Sequence, residues 1–224
     1  MMKTILHALT ITVMMLVLSS GPLQADCQEG DCTNGNGTFV FDDGEKYSGQ
    51  FKDGKKDGQG TYTYANGDQY IGEFKSDMKN GRGTYSYSNG DVYVGMFKDD
   101  QKHGTGTYTF VNGDTYNGQF VEDVRSGEGS YTYQNKDKYT GEFRENKFNG
   151  KGVFLFANGN QYDGLFENGL FHGQGTFTFS NGERYIGEFR MGRREGQGTY
   201  IYTDGEQITG LFKQGKYVGD GTSN

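Results

Sequence analysis

A glycine recurs at positions 35, 58, 81, 104, 127, 150, 173, 196 and 219 of the 224-residue chain, a step of 23 residues with no insertion. Each opens the same phrase, written most fully from Gly58 to Phe74 as GQGTYTYANGDQYIGEF. Eight full repeats and a stub result, and they leave no room for a second globular domain. With so short a period each unit buries its apolar face only against its neighbours, so the expected body is an elongated array.

Within the phrase, TYTY and QYIGEF alternate with period two and are rich in Thr and Tyr, and a Gly-containing turn separates them. That pattern predicts the two strands of a hairpin and no helix. The turn is Asn66-Gly67, recurring as Asp43-Gly44, Asn89-Gly90, Asn112-Gly113, Asn158-Gly159, Asn181-Gly182 and Asp204-Gly205, and broken only at Asn135-Lys136. Parity selects its type. A two-residue loop would split the aromatics between the two faces, whereas a three-residue loop, Ala65 to Gly67 with Gly67 left-handed in a bulge, sets Tyr62 opposite Tyr70 and Gly60 opposite Gly72. The second keeps Tyr62, Tyr64, Tyr70 and Phe74 together. Because the period is odd, the other connection, Phe74 to Gly83, must hold an even loop. Its third residue after Phe is Gly54, Asp77, Asp100, Asp123, Asn146, Gly169, Gly192 or Gly215, all tolerant of positive φ.

The expected fold is all-β: an elongated single-layer antiparallel meander of eight hairpin repeats. If its sixteen strands pair in sequence they span on the order of 75 Å, and accumulated twist makes the ribbon twisted or curved. The apolar material forms a stripe and not a central core. Of 34 aromatic residues, none of them Trp, 31 fall at four fixed repeat positions, the exceptions being Phe148, Phe171 and Tyr217. Net charge is −7, and Lys3 is the only charge before Asp26. An acidic chain argues against nucleic acid and against adhesion to anionic lipid by charge alone. The basic pairs Lys55-Lys56 and Arg193-Arg194 read as solvated loop tips.

Residues 1–25, with one Lys, a long apolar run and a small residue at Ala25, read as a secretory signal peptide. Cleavage is expected after Ala25, with Ser20 and Gly21 as alternatives. The expected product is exported, to a periplasm or the cell exterior. Residues 26–34 form a short segment holding Cys27 and Cys32, the only cysteines, followed by the repeat array over 35–218 and a stub over 219–224. An even pair at short range in an exported chain is a disulfide candidate; metal binding is the weaker alternative, since two thiols without His leave a zinc site half built. Asn36-Gly37-Thr38 is a glycosylation sequon if the source is eukaryotic.

The phrase Tyr-x-Gly-x-Phe, a loop, then x-Gly-x-Gly resembles the MORN repeat, whose usual form is Tyr-x-Gly-x-Trp followed by a loop ending in His-Gly-x-Gly. Tyr70-Ile71-Gly72-Glu73-Phe74, His103-Gly104-Thr105-Gly106 and His172-Gly173-Gln174-Gly175 carry the likeness, which covers residues 35 to about 221. Phe stands where the family usually has Trp, and His precedes Gly in only two repeats. The resemblance implies a meander with an aromatic groove on one face, serving as a scaffold for protein association or, in some members, contacting membrane lipid. Family enzymes carry a separate catalytic domain beside the repeats.

Catalytic chemistry is not expected, and neither is a cofactor or metal site. His103 and His172 are three periods apart on loops, about 29 Å in a flat sheet, and no Cys in the repeats accompanies them. The carboxylates Glu45, Asp68, Asp91, Asp114, Asp137, Glu183 and Glu206 recur after the turn, with neighbours about 9.6 Å apart, too far to share an ion. The aromatic stripe is the remaining feature. Its candidate groove residues are Tyr62, Tyr64, Tyr70, Phe74, Tyr85, Tyr87, Tyr93, Phe97, Tyr108, Phe110, Tyr116, Phe120, Tyr131, Tyr133, Tyr139 and Phe143. Rows of rings hold a sheet together, and on a single layer they also form an apolar patch of the kind that marks an interaction surface. Two readings stand: a scaffold for a protein partner or a second copy of itself, and a surface module for phospholipid or glycan at a membrane or cell wall.

Overall fold

The computed structural model describes residues 25–220, and every regular element in that span is a strand. The signal-peptide reading thus falls, but for Ala25, outside the described residues, as do the last four positions of the stub. Eighteen strands, from β1 (Asp26–Gly30) to β18 (Lys216–Gly219), form one open sheet in which each pairs antiparallel with its neighbours in sequence. Nine-residue strands such as β4 (Lys55–Thr63) and β6 (Met78–Ser86) alternate with seven-residue strands such as β3 (Lys46–Lys52) and β5 (Gln69–Lys75).

The hairpin inside each repeat has the three-residue loop that parity requires. Tyr64 N–H donates to Asp68 O at 2.9 Å, Gly67 N–H donates to Tyr64 O at 3.0 Å, and Gly67 has φ +89°. Asn66 Oδ1 accepts from Asp68 N–H at 2.9 Å, which is why Asn or Asp holds that place. Tyr62 lies opposite Tyr70 and Gly60 opposite Gly72. At Asn135-Lys136 the same turn survives without glycine: Lys136 takes φ +78° and donates to Tyr133 O.

The connection between repeats is a two-residue loop, Ser76-Asp77, closing Lys75 against Met78. Both residues are left-handed, with φ +48° and +74°, the type I′ geometry that matches strand twist. The sequence identifies only the second of these positions. The first is also left-handed in every copy (Asp53, Ser76, Asp99, Glu122, Glu145, Asn168, Met191 and Gln214), although none is glycine. Beyond the turn a bulge sets three residues of β6, Asn80 to Arg82, against Glu73 alone. Gly81 takes φ +92° there, and Glu73 Oε1 accepts from Arg82 N–H at 2.9 Å.

Paired glycines explain how one layer buries whole rings. A Cβ on Gly72 would sit 2.5 Å from Tyr70 Oη, and one on Gly83 2.4 Å from Tyr70 Cε2. The tyrosine therefore lies flat along the sheet on a glycine floor spanning two strands. Its hydroxyl donates to Glu73 O at 2.9 Å, so the polar end is satisfied without water. Phe74 and Phe97, from its own repeat and the next, meet the ring edge-on at 5.0 Å each. Tyr47, Tyr70, Tyr93, Tyr116, Tyr139, Tyr162 and Tyr185 are fully buried in this way, each contributing roughly 2 kcal/mol by area.

Eighteen strands, not sixteen, are present because a half-repeat stands at each end. β2 (Asn36–Val40) pairs on one side with β3 and on the other with β1, so the cysteine segment is part of the sheet. Cys27 lies opposite Phe39 as Tyr47 lies opposite Tyr62, and Gly30 opposite Gly37 as Gly49 opposite Gly60. Cys32, two residues past Gly30, holds the place that Phe51 holds past Gly49. The two are joined, S–S 2.07 Å, with Cys32 Sγ above Gly37 where a Cβ would meet it at 2.8 Å. A covalent bond replaces the Tyr–Phe edge contact at the terminal strand. At the opposite end Ile208 replaces the strand-two Tyr, and β18 is a nine-residue-type strand with no described partner on its outer side.

Candidate interaction face

The aromatic face has three levels. Lowest are the flat tyrosines and their phenylalanines: Tyr70, Phe74, Tyr93, Phe97, Tyr116, Phe120, Tyr139 and Phe143 are all buried. Above them the strand-one rings run in a zigzag, with Tyr62–Tyr64 at 4.6 Å, Tyr64–Tyr85 at 5.6 Å, Tyr85–Tyr87 at 4.4 Å and Tyr87–Tyr108 at 5.8 Å. Phe110, Tyr131 and Tyr133 continue it, Tyr108–Phe110 lying 4.6 Å apart, Phe110–Tyr131 5.8 Å and Tyr131–Tyr133 4.7 Å. Except for Tyr62, which is buried, these upper rings are half-buried. Half of the sixteen rings that the sequence places in one groove therefore form its foundation, out of a partner's reach.

The third level is a lid that the sequence does not reveal. Two residues before each repeat glycine from Gly58 onward stands Lys56, Lys79, Lys102, Arg125, Phe148, Phe171, Arg194 or Tyr217, and this side chain lies against the rings. Lys56 Nζ lies 4.4 Å from the Tyr62 centroid and Lys79 Nζ 5.0 Å from that of Tyr85. The Arg125 guanidinium lies 5.4 Å from Tyr131, and that of Arg194 5.6 Å from Tyr200. In the two middle repeats the cation is replaced by a ring: Phe148 stacks on Tyr139 and Phe171 on Tyr162, both at 3.9 Å. Phe148, Phe171 and Tyr217, the three aromatics that fit none of the four ring positions, share this one place. Lys56 and Arg194 thus belong to the aromatic face and are not solvated loop tips; Lys55 and Arg193 are exposed.

Carboxylates tie the lids together. Asp100 Oδ1 lies 3.9 Å from Lys79 Nζ and Asp123 Oδ1 3.0 Å from Lys102 Nζ. Lys102 also donates to Tyr87 Oη at 3.0 Å. Burial pulls the Lys56 and Lys79 ammonium groups down from the usual lysine range against the attraction of these carboxylates. For Lys102 the Tyr87 and Asp123 bonds outweigh burial and the shift is upward. Burial also pushes Tyr64, Tyr47 and Tyr116 up to about 12, so the face is neutral tyrosine over the ordinary pH range.

The carboxylate row at the turns belongs to the fold. Asp68 Oδ2 accepts from Tyr85 Oη of the next repeat and Oδ1 accepts from Ser88 N–H, both at 2.8 Å. Asp91 binds Tyr108 and Val111 in the same manner, and Asp114 binds Tyr131 and Gln134. Burial opposes the charge at all three, but these donated bonds prevail and hold their carboxyls below the usual range. His103 and His172 are on strands β8 (Gln101–Thr109) and β14 (Leu170–Thr178), not on loops, and His172 Nδ1 lies 3.2 Å from Glu167 Oε2. Among the described residues no group of three His, Cys, Asp or Glu is placed to hold a metal ion, and no helix is long and apolar enough to cross a membrane.

The geometry defines a class: an open-ended β-hairpin repeat protein that carries a lidded aromatic face. The MORN repeat family model matches residues 33–46, 47–69, 70–92, 93–115, 116–138, 139–161, 162–184 and 185–207, and the chain belongs to the MORN repeat family. No curated protein matches it in sequence. Among solved structures it is similar to the wild-type TCP10 domain of Danio rerio CPAP, at 16% identity over 78% of this chain and 82% of that one, TM-score 0.48. The SAS-4 (dCPAP) TCP domain of Drosophila melanogaster, in complex with a proline-rich motif of Ana2, matches at 12% identity over 69% of this chain and 84% of that one, TM-score 0.45. Virginiamycin B lyase from Staphylococcus aureus matches at 12% identity over 84% of this chain and 73% of that one, TM-score 0.17. None of the three is similar enough to bear on what this chain does.

Proposed function

We propose that this protein is an exported, non-enzymatic scaffold that binds a protein partner along the upper rings of its aromatic face. The observation that carries the reading is the half-buried zigzag from Phe41 through Tyr64, Tyr87, Phe110 and Tyr133, which ends at the exposed Tyr202 on one side of a single-layer sheet. Rings of this kind offer large contact area at little cost in conformational entropy, and half-buried rings left accessible between the lid side chains are where a partner gains most. The lid varies along the face: cationic at Lys56, Lys79, Lys102 and Arg125, apolar at Phe148 and Phe171, and cationic again at Arg194. Lipid is the weaker reading, because Lys79 and Lys102 are already paired with Asp100 and Asp123. Glycan lacks its best stacking platform, Trp. Export is supported by the apolar N-terminal segment and the disulfide.

The test substitutes rings that are accessible and spares those that hold the fold. Tyr64→Ala/Tyr87→Ala should retain the circular-dichroism spectrum of the parent yet lose the protein crosslinked to it in the exported fraction. Retention of that protein, with loss of binding to anionic vesicles or wall polymer instead, would transfer the function to a lipid or glycan module. N-terminal sequencing of exported material should begin at Asp26.

A further inference from the structure

The first repeat glycine, Gly35, has no lid before it. Thr33 stands in that place, and its backbone sits as a lid residue's does: Gly54 N–H donates to Thr33 O at 2.9 Å, as Asp77 N–H donates to Lys56 O. The threonine side chain is too short to cross the rings. Where a longer one lies in later repeats there is a cavity of about 320 Å³, floored by Phe39, Phe41, Phe51 and Cys32 and edged by Lys56 and Asp77. Ligand sites begin at about 300 Å³, so the space suits one ring-sized group.

The edge of the cavity carries a cation without an acceptor. Lys79 Nζ donates to Tyr64 Oη at 3.2 Å and lies 3.9 Å from Asp100, and Lys102 Nζ donates to Tyr87 Oη at 3.0 Å and lies 3.0 Å from Asp123. In the first repeat Phe41 stands where Tyr64 and Tyr87 stand later, with no hydroxyl to offer. Among the described residues no carboxylate lies within 4.0 Å of Lys56 Nζ. We propose that this cavity binds a small aromatic carboxylic acid, its ring in the place of the absent lid and its carboxylate on Lys56. The site shares Phe41 with the zigzag, but a free acid needs no protein partner, so this inference and the scaffold reading fail separately.

Later repeats show how a ring lies there. Phe148 meets Phe154 at 6.3 Å and Phe166 at 6.2 Å, and Phe171 meets Phe177 at 6.3 Å and Phe189 at 6.1 Å. Counted from Thr33 by the same steps, those partners are Phe39 and Phe51, both on the cavity floor. Phe148 also meets Phe143 at 5.4 Å, and Cys32 holds that place in β1, so a guest ring gains a sulfur–aromatic contact. A cationic guest, the other filling seen at lid positions, would face the Lys56 ammonium. An acid instead supplies the charge-assisted acceptor that ammonium lacks, and a short link suffices because Lys56 lines the same cavity. Asp77 works against an anion, although its Oδ1 accepts from Lys56 N–H at 2.9 Å.

Titration of the purified protein with hydrocinnamate, followed by proton–nitrogen correlation spectra, tests this. Saturable shifts are expected at the amides of Phe39, Phe41, Gly54 and Lys56, with about tenfold weaker binding of hydrocinnamyl alcohol, which lacks the charge. Lys56→Met keeps an apolar stem without the ammonium and should bind acid and alcohol alike. Thr33→Phe supplies the lid from the chain itself and should abolish the shifts with an unchanged far-ultraviolet spectrum. Asp77→Asn should tighten the acid severalfold. No saturable shift at those amides, equal binding of acid and alcohol by the parent, a preference for the acid that survives Lys56→Met, or undiminished binding by Thr33→Phe would each overturn the inference.

Discussion

Tyr85 Oη donates to Asp68 Oδ2 at 2.8 Å, and the two residues belong to consecutive repeats, seventeen positions apart in the chain. The same carboxylate takes the Ser88 N–H, so one side chain at the turn of one hairpin fixes both a ring and the turn of the next. Asp68 is 7% exposed, so neither donor could turn to water without cost.

Asp68→Ala should destabilise more than Tyr85→Phe. The first strands two donors on the next repeat, for about 2–3 kcal/mol, while the second removes one charge-assisted bond and leaves the carboxylate with Ser88, for about 1–2 kcal/mol. Phe154 and Phe177 already stand at the Tyr85 position in later repeats. Urea unfolding ranks the two variants; equal or reversed loss would mean the Ser88 bond carries little.

Stability should fall at both ends of the pH scale. Asp68, Asp91 and Asp114 have folded values below 3.8, so their contribution is full above that value and is lost as pH drops through the lowered one. Tyr47, Tyr64 and Tyr116 are raised from 10.0 to about 12, so theirs is full below pH 10 and is lost as pH rises toward 12. Melting temperatures across pH 2–12 should form a plateau with two shoulders. A protein no less stable at pH 11 than at pH 8 would contradict the buried hydroxyls.

Gly83→Ala should cost about 3 kcal/mol or more, because its Cβ would lie 2.4 Å from Tyr70 and the ring would have to leave its floor. Gly54→Ala meets nothing within 4 Å and has only its φ of +73° to pay, about 1 kcal/mol. Thermal denaturation of the pair separates ring burial from backbone strain.

Lys79→Phe should raise the melting temperature. Phe148 and Phe171 at the same lid position stack on Tyr139 and Tyr162 at 3.9 Å, and a third such stack on Tyr70 is worth about 1 kcal/mol. The gain is expected to exceed loss of the Lys79–Asp100 contact, 3.9 Å long at a half-exposed carboxylate. A lower melting temperature would show that the cation is needed above Tyr85.

Cys27→Ala/Cys32→Ala should release β1 and leave the other strands paired. Opening so short a loop costs about 2 kcal/mol. Hydrogen exchange should quicken in β1 and at Gly37 while Tyr70 and Tyr93 keep their protection. Uniform loss along the sheet would mean that the terminal strand holds the whole array.

The chain alone determined the repeat, its hairpin strands, the three-residue turn, the even parity of the other loop and the shared face. These follow from local chemistry: Asn-Gly at the turn, alternation in the strands, and an odd period that admits one parity. Family membership was equally legible, through Tyr70-Ile71-Gly72-Glu73-Phe74 and its copies. Only the tertiary structure decided which rings of that face are reachable, because depth depends on Tyr70 lying flat over Gly72 and Gly83, strands that meet only once the sheet forms. It also decided that Lys56, Lys79 and Phe148 share one lid position, and that Cys27 and Cys32 replace a Tyr–Phe pair. A lysine just after a turn looks like any solvated lysine until the rings from two neighbouring repeats arrive beneath it.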